Sequence, residues 1–366
     1  MGERQGTVEG VGLNRRFWRD RRVLITGHTG FKGSWLALWL ETLGADVTGY
    51  SVDIPTEPAL FRLASVERGL THIQGDVRDA SGLAALIARQ RPEIVIHMAA
   101  QSLVRRSYSA PVETFETNVI GTVNVLEAVR RSDVRVVINV TSDKCYLNTG
   151  PRPHSEDDPK GGGDPYSASK ACAELITDAY RQSFFSEGGP ALASVRAGNV
   201  IGGGDWSRDR LVADAMTAAL EGRLLFVRNP DAVRPWQHVL NPLEGYLSLA
   251  ERLWADRSFA DGWNFGPAED DERPVQYLVE RIAALWGDGF AWRVDKGENP
   301  PETPVLRLDS SRARERLRWE PRWDLERAIR SVVEWYHAYA AGADMRDVVL
   351  EQIRAFEGMA ASPITA

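Results

Sequence analysis

The chain has 366 residues, 43% hydrophobic and 26% charged, the proportions of a soluble globular protein long enough for a large core or for two lobes. Its formal net charge of −7 argues against a broad nucleic-acid surface. No apolar run approaches the roughly 18 residues of a membrane helix, and the two cysteines, Cys145 and Cys172, have no metal-ligand spacing and read as small buried residues of a reducing cytoplasm.

Residues 1–20 lack the apolar core of a signal peptide and read as a flexible tail. RRVLITG, Arg21 to Gly27, is a buried strand, followed by the turn HTGFKG and a helix with Leu36, Leu40 and Leu43 at helical spacing. Gly27, Gly30 and Gly33 follow G-x-x-G-x-x-G, a turn that lets backbone approach a pyrophosphate at a helix N-terminus. This is the opening of a dinucleotide-binding unit. The next strand, DVTGYSVD, ends at Asp53, whose carboxylate suits an adenosine ribose and favours NAD over NADP by repelling a 2′-phosphate. THIQGDV is a strand ending in Asp76 and Val77, suited to an adenine edge. After the helix SGLAALIARQ, the strand EIVIHMAA ends at Ala99 and Ala100, small enough for backbone to lie against a cofactor. His97 reads as a core histidine, and Arg105 and Arg106 as polar-loop charges. TFETNVIGTVNVLEAVRRS is a long helix with basic residues in its last turn.

The apolar run VRVVINV delivers TSDKCY, Thr141 to Tyr146, to the carboxyl edge of a sheet, where ligands of open α/β folds bind. The loop LNTGPRPHSEDDPKGGGDP reads as a mobile segment over that edge, and YSASK, Tyr166 to Lys170, opens a helix. ALASVRAGNVIGGGDW reads as one further strand. Beyond Gly202 the pattern loosens into the helix DRLVADAMTAAL, the strand LLFVRNP, a tryptophan-marked turn at RPWQH, the short strand GWNFGP and two amphipathic helices. The predicted fold is α/β, a Rossmann-type doubly wound parallel sheet with a smaller C-terminal α/β substrate lobe. Residues 21–195 form the dinucleotide-binding domain and 196–350 the second lobe, with 262–267 able to rejoin the sheet.

Tyr166 and Lys170 stand four residues apart and share a helix face. A free phenol ionises near pH 10; a lysine ammonium and a positive nicotinamide ring favour the phenolate, and a drop of about three units corresponds to roughly 4 kcal/mol. With Ser142 holding a substrate hydroxyl, Tyr166 and Lys170 are equipped to oxidise a secondary alcohol. Asp143 and Lys144 add an acid–cation pair that an elimination needs and a plain oxidation does not.

The motifs GHTGFKGSW, HMAAQSLVRRSY, NVTSDKCY, DPYSASK, VRAGNVIGGGDW, RPWQHVLNPLEGY and GWNFGP resemble the extended short-chain dehydrogenase/reductase enzymes, and among them the CDP-glucose 4,6-dehydratases. The likeness runs from about residue 20 to 340. It implies NAD held by Gly27, Thr29, Gly30, Phe31, Lys32, Gly33, Asp53, Asp76, Val77, Ala99 and Ala100, with Tyr166 and Lys170. It also implies dehydration of CDP-glucose in deoxysugar formation: Tyr166 takes the C4 hydroxyl proton, Asp143 protonates the leaving C6 oxygen, and Lys144 either takes the C5 proton or tunes Asp143. Gln101, Ser142, Asn199, Arg208 and Arg234 are the implied substrate ligands, with Arg234 at the pyrophosphate. Helices over 112–131 and 166–185 resemble those that pair in a homodimer. Leu147 stands where a more polar residue is expected. The alternatives are a dehydratase or epimerase for another nucleotide sugar, or a non-catalytic NAD-binding protein.

Overall fold

The computed structural model describes residues 12–148, 150–297 and 304–358. β-Branched apolar runs form its strands, which are, in chain order, β1 (Arg22–Thr26), β2 (Asp46–Ser51), β3 (Thr71–Gln74), β4 (Ile94–His97), β5 (Val136–Val140), β6 (Ala191–Ala197), β7 (Asn199–Ile201), β8 (Leu224–Val227), β9 (Val233–His238), β10 (Gly262–Phe265), β11 (Glu272–Pro274) and β12 (Ala291–Val294). Seven of them build one parallel sheet in the order β10-β6-β5-β4-β1-β2-β3. The order reverses between β1 and β4, which opens a crevice at their carboxyl ends.

Helices cover both faces because the strands are apolar on both. Leu24, Val95, Val137 and Leu192 pack against Leu83, Leu86, Val125 and Val129 on one side. Val23, Ile25, Ile94, Ile96 and Ile138 belong to a larger cluster with Trp35, Trp39, Leu243 and Leu247 on the other. That cluster continues without a break to Trp335 and Phe356. GWNFGP supplies β10, paired in parallel with β6 at the sheet edge. The smaller sheets β11-β9-β7 and β12-β8 stand beyond it. Among the described residues, no helix is long and apolar enough to cross a membrane.

Several features depart from the sequence reading: the polar loop of Arg105 and Arg106 holds a short helix, Val104–Ser109, and RPWQH lies in strand β9 rather than a turn. Residues 12–20 are not a tail: Asn14 caps a short helix, Arg15–Trp18, and the fully buried Trp18 indole donates to Glu251 at 2.7 Å. The remainder of the expected tail, residues 1–11, lies outside the described residues. The run from Ala191 is two strands, not one, because Gly198 lies against Pro235 where no Cβ fits, and β7 turns away to pair with β9. The long helix before β5 carries a π turn at Glu116–Ile120 between Pro111–Phe115 and Gly121–Arg130. The segment 150–164 is packed rather than mobile. The His154 ring stacks on Tyr146 with centroids 4.9 Å apart, and Asn264 donates from its amide side chain to the His154 carbonyl and from its backbone to Glu156. Its acidic residues spend their charge on such partners.

Candidate active site

The glycine turn joins β1 to the helix Phe31–Thr42. Gly27 has φ +81, and a Cβ there would come within 2.7 Å of the Ala99 backbone nitrogen. At Gly33 a Cβ would run into the Gly27 carbonyl. Only glycine permits both approaches. Gly30 opens the helix with no side-chain cap, so the first backbone N–H groups face the crevice, and a Cβ at Gly30 would meet nothing nearer than 3.5 Å. The turn therefore fits a pyrophosphate. Thr29 donates from Oγ1 to the Asp53 carbonyl at 2.6 Å, which fixes the turn against the end of β2 and leaves the Asp53 carboxylate exposed. Ala99 and Ala100, half-buried, form the crevice wall after β4. The Asp76 carboxylate is gripped by Arg78 at 2.6 Å, so only the Asp76–Val77 backbone and the Val77 side chain remain for an adenine.

β5 carries Thr141, Ser142 and Asp143 to the same edge. Ser142 Oγ accepts from the Lys144 amide at 3.2 Å and donates to Asp143 Oδ1 at 3.0 Å, which holds the turn Asp143–Cys145. Opposite it, Asp164 caps the helix Pro165–Ser183 through the Ser167 amide at 2.9 Å, with Pro165 in its first turn. That start places Tyr166 beside Ser142, to which its phenol is hydrogen-bonded, and Lys170 one turn deeper, where its amine donates to the Val140 carbonyl at 3.2 Å. Ser142, Asp143, Tyr166 and Lys170 are all buried, and Lys144 is half-buried.

Burial pushes the Asp143 carboxyl above its usual range, against the pull of Lys144, Ser142 and Arg234, and its Oδ2 has no hydrogen-bond partner among the described residues. Burial thus favours the neutral form of this carboxyl. Burial also pushes the Tyr166 phenol up to about 12, with Ser142 and Arg210 pulling the other way. Among the protein's own groups desolvation outweighs every nearby charge, so the phenolate expected from the sequence depends on the positive nicotinamide ring as well as on Lys170. Lys170 itself is pulled down to about 8 by burial, with Glu174 opposing. Lys32 points across from the glycine turn; its amine donates to the Tyr246 hydroxyl at 3.2 Å, and burial, then Arg210 and Lys170, lower it to about 7. Four of the chain's five lysines (Lys32, Lys144, Lys160 and Lys170) thus stand in the crevice or in the polar layer behind it; Lys296 is exposed elsewhere.

The expected substrate ligands divide. Arg234 is buried, donates to the Val233 and Pro304 carbonyls, and acts electrostatically on Asp143. Asn199 is half-buried on β7 beside Trp236. The Gln101 side chain is engaged locally: its amide donates to Thr114 at 2.9 Å and to the Leu103 carbonyl, and its oxygen accepts from the Leu103 amide. Arg208 is exposed, and Arg210 takes the inner position instead, bonded to Asp205 at 3.1 Å and Ser102 at 3.0 Å and acting on Tyr166 and Lys32. Arg210 directly precedes the helix Leu211–Leu220, and that helix start was the available signal. His97 is a satisfied core side chain between Thr26 and Thr122.

Residues 24–332 match the family described as GDP-mannose 4,6 dehydratase. The chain is 48% identical to the CDP-glucose 4,6-dehydratase of Salmonella typhimurium, over 91% of this chain and 95% of that one. It is 28% identical to a dTDP-glucose 4,6-dehydratase of Xanthomonas campestris pv. campestris, over 86% of this chain and 92% of that one. Among solved structures it resembles the UDP-glucose 4-epimerase of Thermus thermophilus in complex with NAD, with a TM-score of 0.73 and 26% identity, covering 86% of this chain and 99% of that one. From β1 to the helix Leu325–Ala340, the chain belongs to the GDP-mannose 4,6-dehydratase family.

Proposed function

We propose that this chain converts CDP-glucose to CDP-4-dehydro-6-deoxyglucose with NAD as its resident cofactor. The observation that carries the reading is the buried Asp143, its carboxyl pushed toward the neutral form by burial and its Oδ2 unpartnered among the described residues, beside Ser142 and Tyr166. An epimerase has no use for an acid there; an elimination does. The similarity to the Salmonella typhimurium enzyme supports CDP-glucose as the substrate.

NAD would supply a reversible hydride acceptor, so the net reaction would consume no external oxidant. The turn Gly27–Gly33, with Thr29, Phe31 and Lys32, is suited to its pyrophosphate, Asp53 to its ribose, and Val77, Ala99 and Ala100 to its flanks. Ser142 orients the C4 hydroxyl and Tyr166 takes its proton, with the Lys170 cation nearby. The C4 ketone then makes the C5 hydrogen acidic. Lys144 is placed to take that proton or to tune its neighbour, while Asp143 protonates the C6 oxygen, which leaves as water. Arg234, Arg210 and Asn199 suit the nucleotide pyrophosphate, between the sheet edge and the lobe that begins near residue 196. Val112, Phe115, Ile120 and Leu175 are exposed apolar residues on two neighbouring helices, and they suit a homodimer interface. The free cysteines suit the cytoplasm.

The test is product mass after incubation with CDP-, dTDP-, UDP- and GDP-linked hexoses, each in heavy water. Loss of one water with one deuterium fixed at C5, from CDP-glucose alone, is the expected result. The same signature with another nucleotide overturns the base assignment, an unchanged mass with a new hexose isomer indicates an epimerase, and no change with any donor leaves a binding protein.

A further inference from the structure

Behind the site lies a buried ion pair that the proposed chemistry does not use. Glu174 on the helix Pro165–Ser183 is 0% exposed and Arg196 on β6 is 2% exposed. Arg196 donates from Nε to Glu174 Oε1 at 2.8 Å and from Nη2 to Oε2; Ser194 donates to Oε2 at 2.7 Å, and Thr141 Oγ1 donates to Oε1. Each carboxylate oxygen thus accepts two bonds. Arg196 Nη1 donates to the Tyr146 hydroxyl at 2.7 Å, which in turn donates to Asn264 on β10 at 2.7 Å. Buried ion pairs are poor stabilisers compared with well-packed apolar residues, so the contacts of this one explain its place. Tyr166, Lys170 and Glu174 recur one turn apart on a single helix face, and Thr141 immediately precedes Ser142.

We propose that Glu174 is a positioning residue for the reaction: its carboxylate keeps the Lys170 amine charged and pins Thr141, and with it the Ser142–Asp143 turn, at the end of β5. The inference rests on the reading of Tyr166 and Lys170 as the alcohol-oxidising pair. The groups facing the Lys170 amine leave the task to Glu174. The Val140 carbonyl accepts from the amine, and burial holds Cys145 as a thiol. His97 on β4 is kept neutral by burial and by Lys170 itself, and Lys32 opposes a second cation. Glu174, against the effect of burial, is held down to about 2 by Arg196, Thr141 and Ser194, so it remains an anion throughout the working pH range.

With only five lysines in the chain, lysine labelled with carbon-13 at Cε gives a spectrum in which Lys170 can be assigned and titrated. Glu174→Gln strands the Arg196 cation, so it is paired with Glu174→Gln/Arg196→Met, which removes both charges. In Glu174→Gln the proton affinity of Lys170 falls about tenfold, in the double variant by less because a cation leaves with the anion, and the alkaline limb of C4 oxidation moves down by the same amount in each. Glu174→Asp restores both. An unmoved Lys170 midpoint in Glu174→Gln, or in the double variant where only that one folds by circular dichroism, overturns the proposal and leaves Glu174 a merely structural residue. A shifted midpoint in a protein whose wild type oxidises no nucleotide sugar upholds the tuning of Lys170 and removes the proposed reaction instead.

Discussion

Asp143→Asn separates the two halves of the proposed reaction. Burial favours the neutral carboxyl at this position, and asparagine is the isostere of that form. Oδ1 keeps the bond from Ser142, and the change falls on Oδ2, which has no hydrogen-bond partner among the described residues. The cost to folding is therefore about 1 kcal/mol or less. The cost to rate is much larger, because a positioned general acid contributes about 10²–10⁴-fold, or about 3–5 kcal/mol of barrier. The assay mixes enzyme with CDP-glucose rapidly and follows nicotinamide absorbance together with loss of water from the sugar. The C4 oxidation proceeds, the reduced-cofactor signal rises and persists, and dehydration slows by that factor. Tyr166→Phe, by contrast, gives no rise in signal. Dehydration at the wild-type rate by Asp143→Asn would refute the assignment of the acid.

Removing the Trp18 indole by Trp18→Ala empties a fully buried site and takes one of two donors from Glu251, which keeps the Asn14 amide, at a cost of about 3–5 kcal/mol visible in urea denaturation; a change below about 1 kcal/mol would return this segment to the status of a tail. His97 and His238 are buried, with pKa values lowered to about 3 by burial first and then by Lys170 and Arg327 respectively. The unfolded chain takes up these protons first, so stability is full above about pH 6.5 and declines as pH falls toward 3, by about 1.4 kcal/mol per unit for each histidine. Calorimetry showing no proton uptake on unfolding near pH 5 would contradict it. Leu175→Asp paired with Ile120→Asp reduces the sedimenting mass to that of one chain, whereas an unaltered mass would place the subunit contact elsewhere.

The parts legible in the sequence are those whose physics is local. Strand β5 is a buried and mainly apolar run, the glycine turn follows a strand and opens a helix, and the Tyr166–Lys170 spacing is a property of helical geometry. Composition misled where partners are distant in the chain. The Pro- and Gly-rich segment after Tyr146 suggested mobility, yet it is held by Asn264, more than a hundred residues away. Arg208 and Arg210 are equivalent by residue type, and only the start of the next helix turns one outward and the other toward Tyr166. Gln101 sits in a suggestive loop, but its amide completes the backbone around Leu103. At Tyr166 the sequence shows the nearby charge of Lys170 but not the desolvation that opposes ionisation of the phenol.

The lysine distribution has a practical consequence. Arginine does not release its proton under ordinary conditions, whereas lysine does, and this chain, with 44 basic residues, uses lysine five times, four of them in or behind the crevice. An acylating reagent at neutral pH meets one exposed side-chain amine, Lys296, and three whose proton affinity is depressed, Lys32, Lys160 and Lys170. Only the unprotonated amine is nucleophilic, so a small reagent able to enter the crevice finds its most reactive side-chain targets there. Mass mapping of acylated peptides, with and without a nucleotide sugar, would then serve as an occupancy footprint of the crevice, with Lys296 as the internal standard.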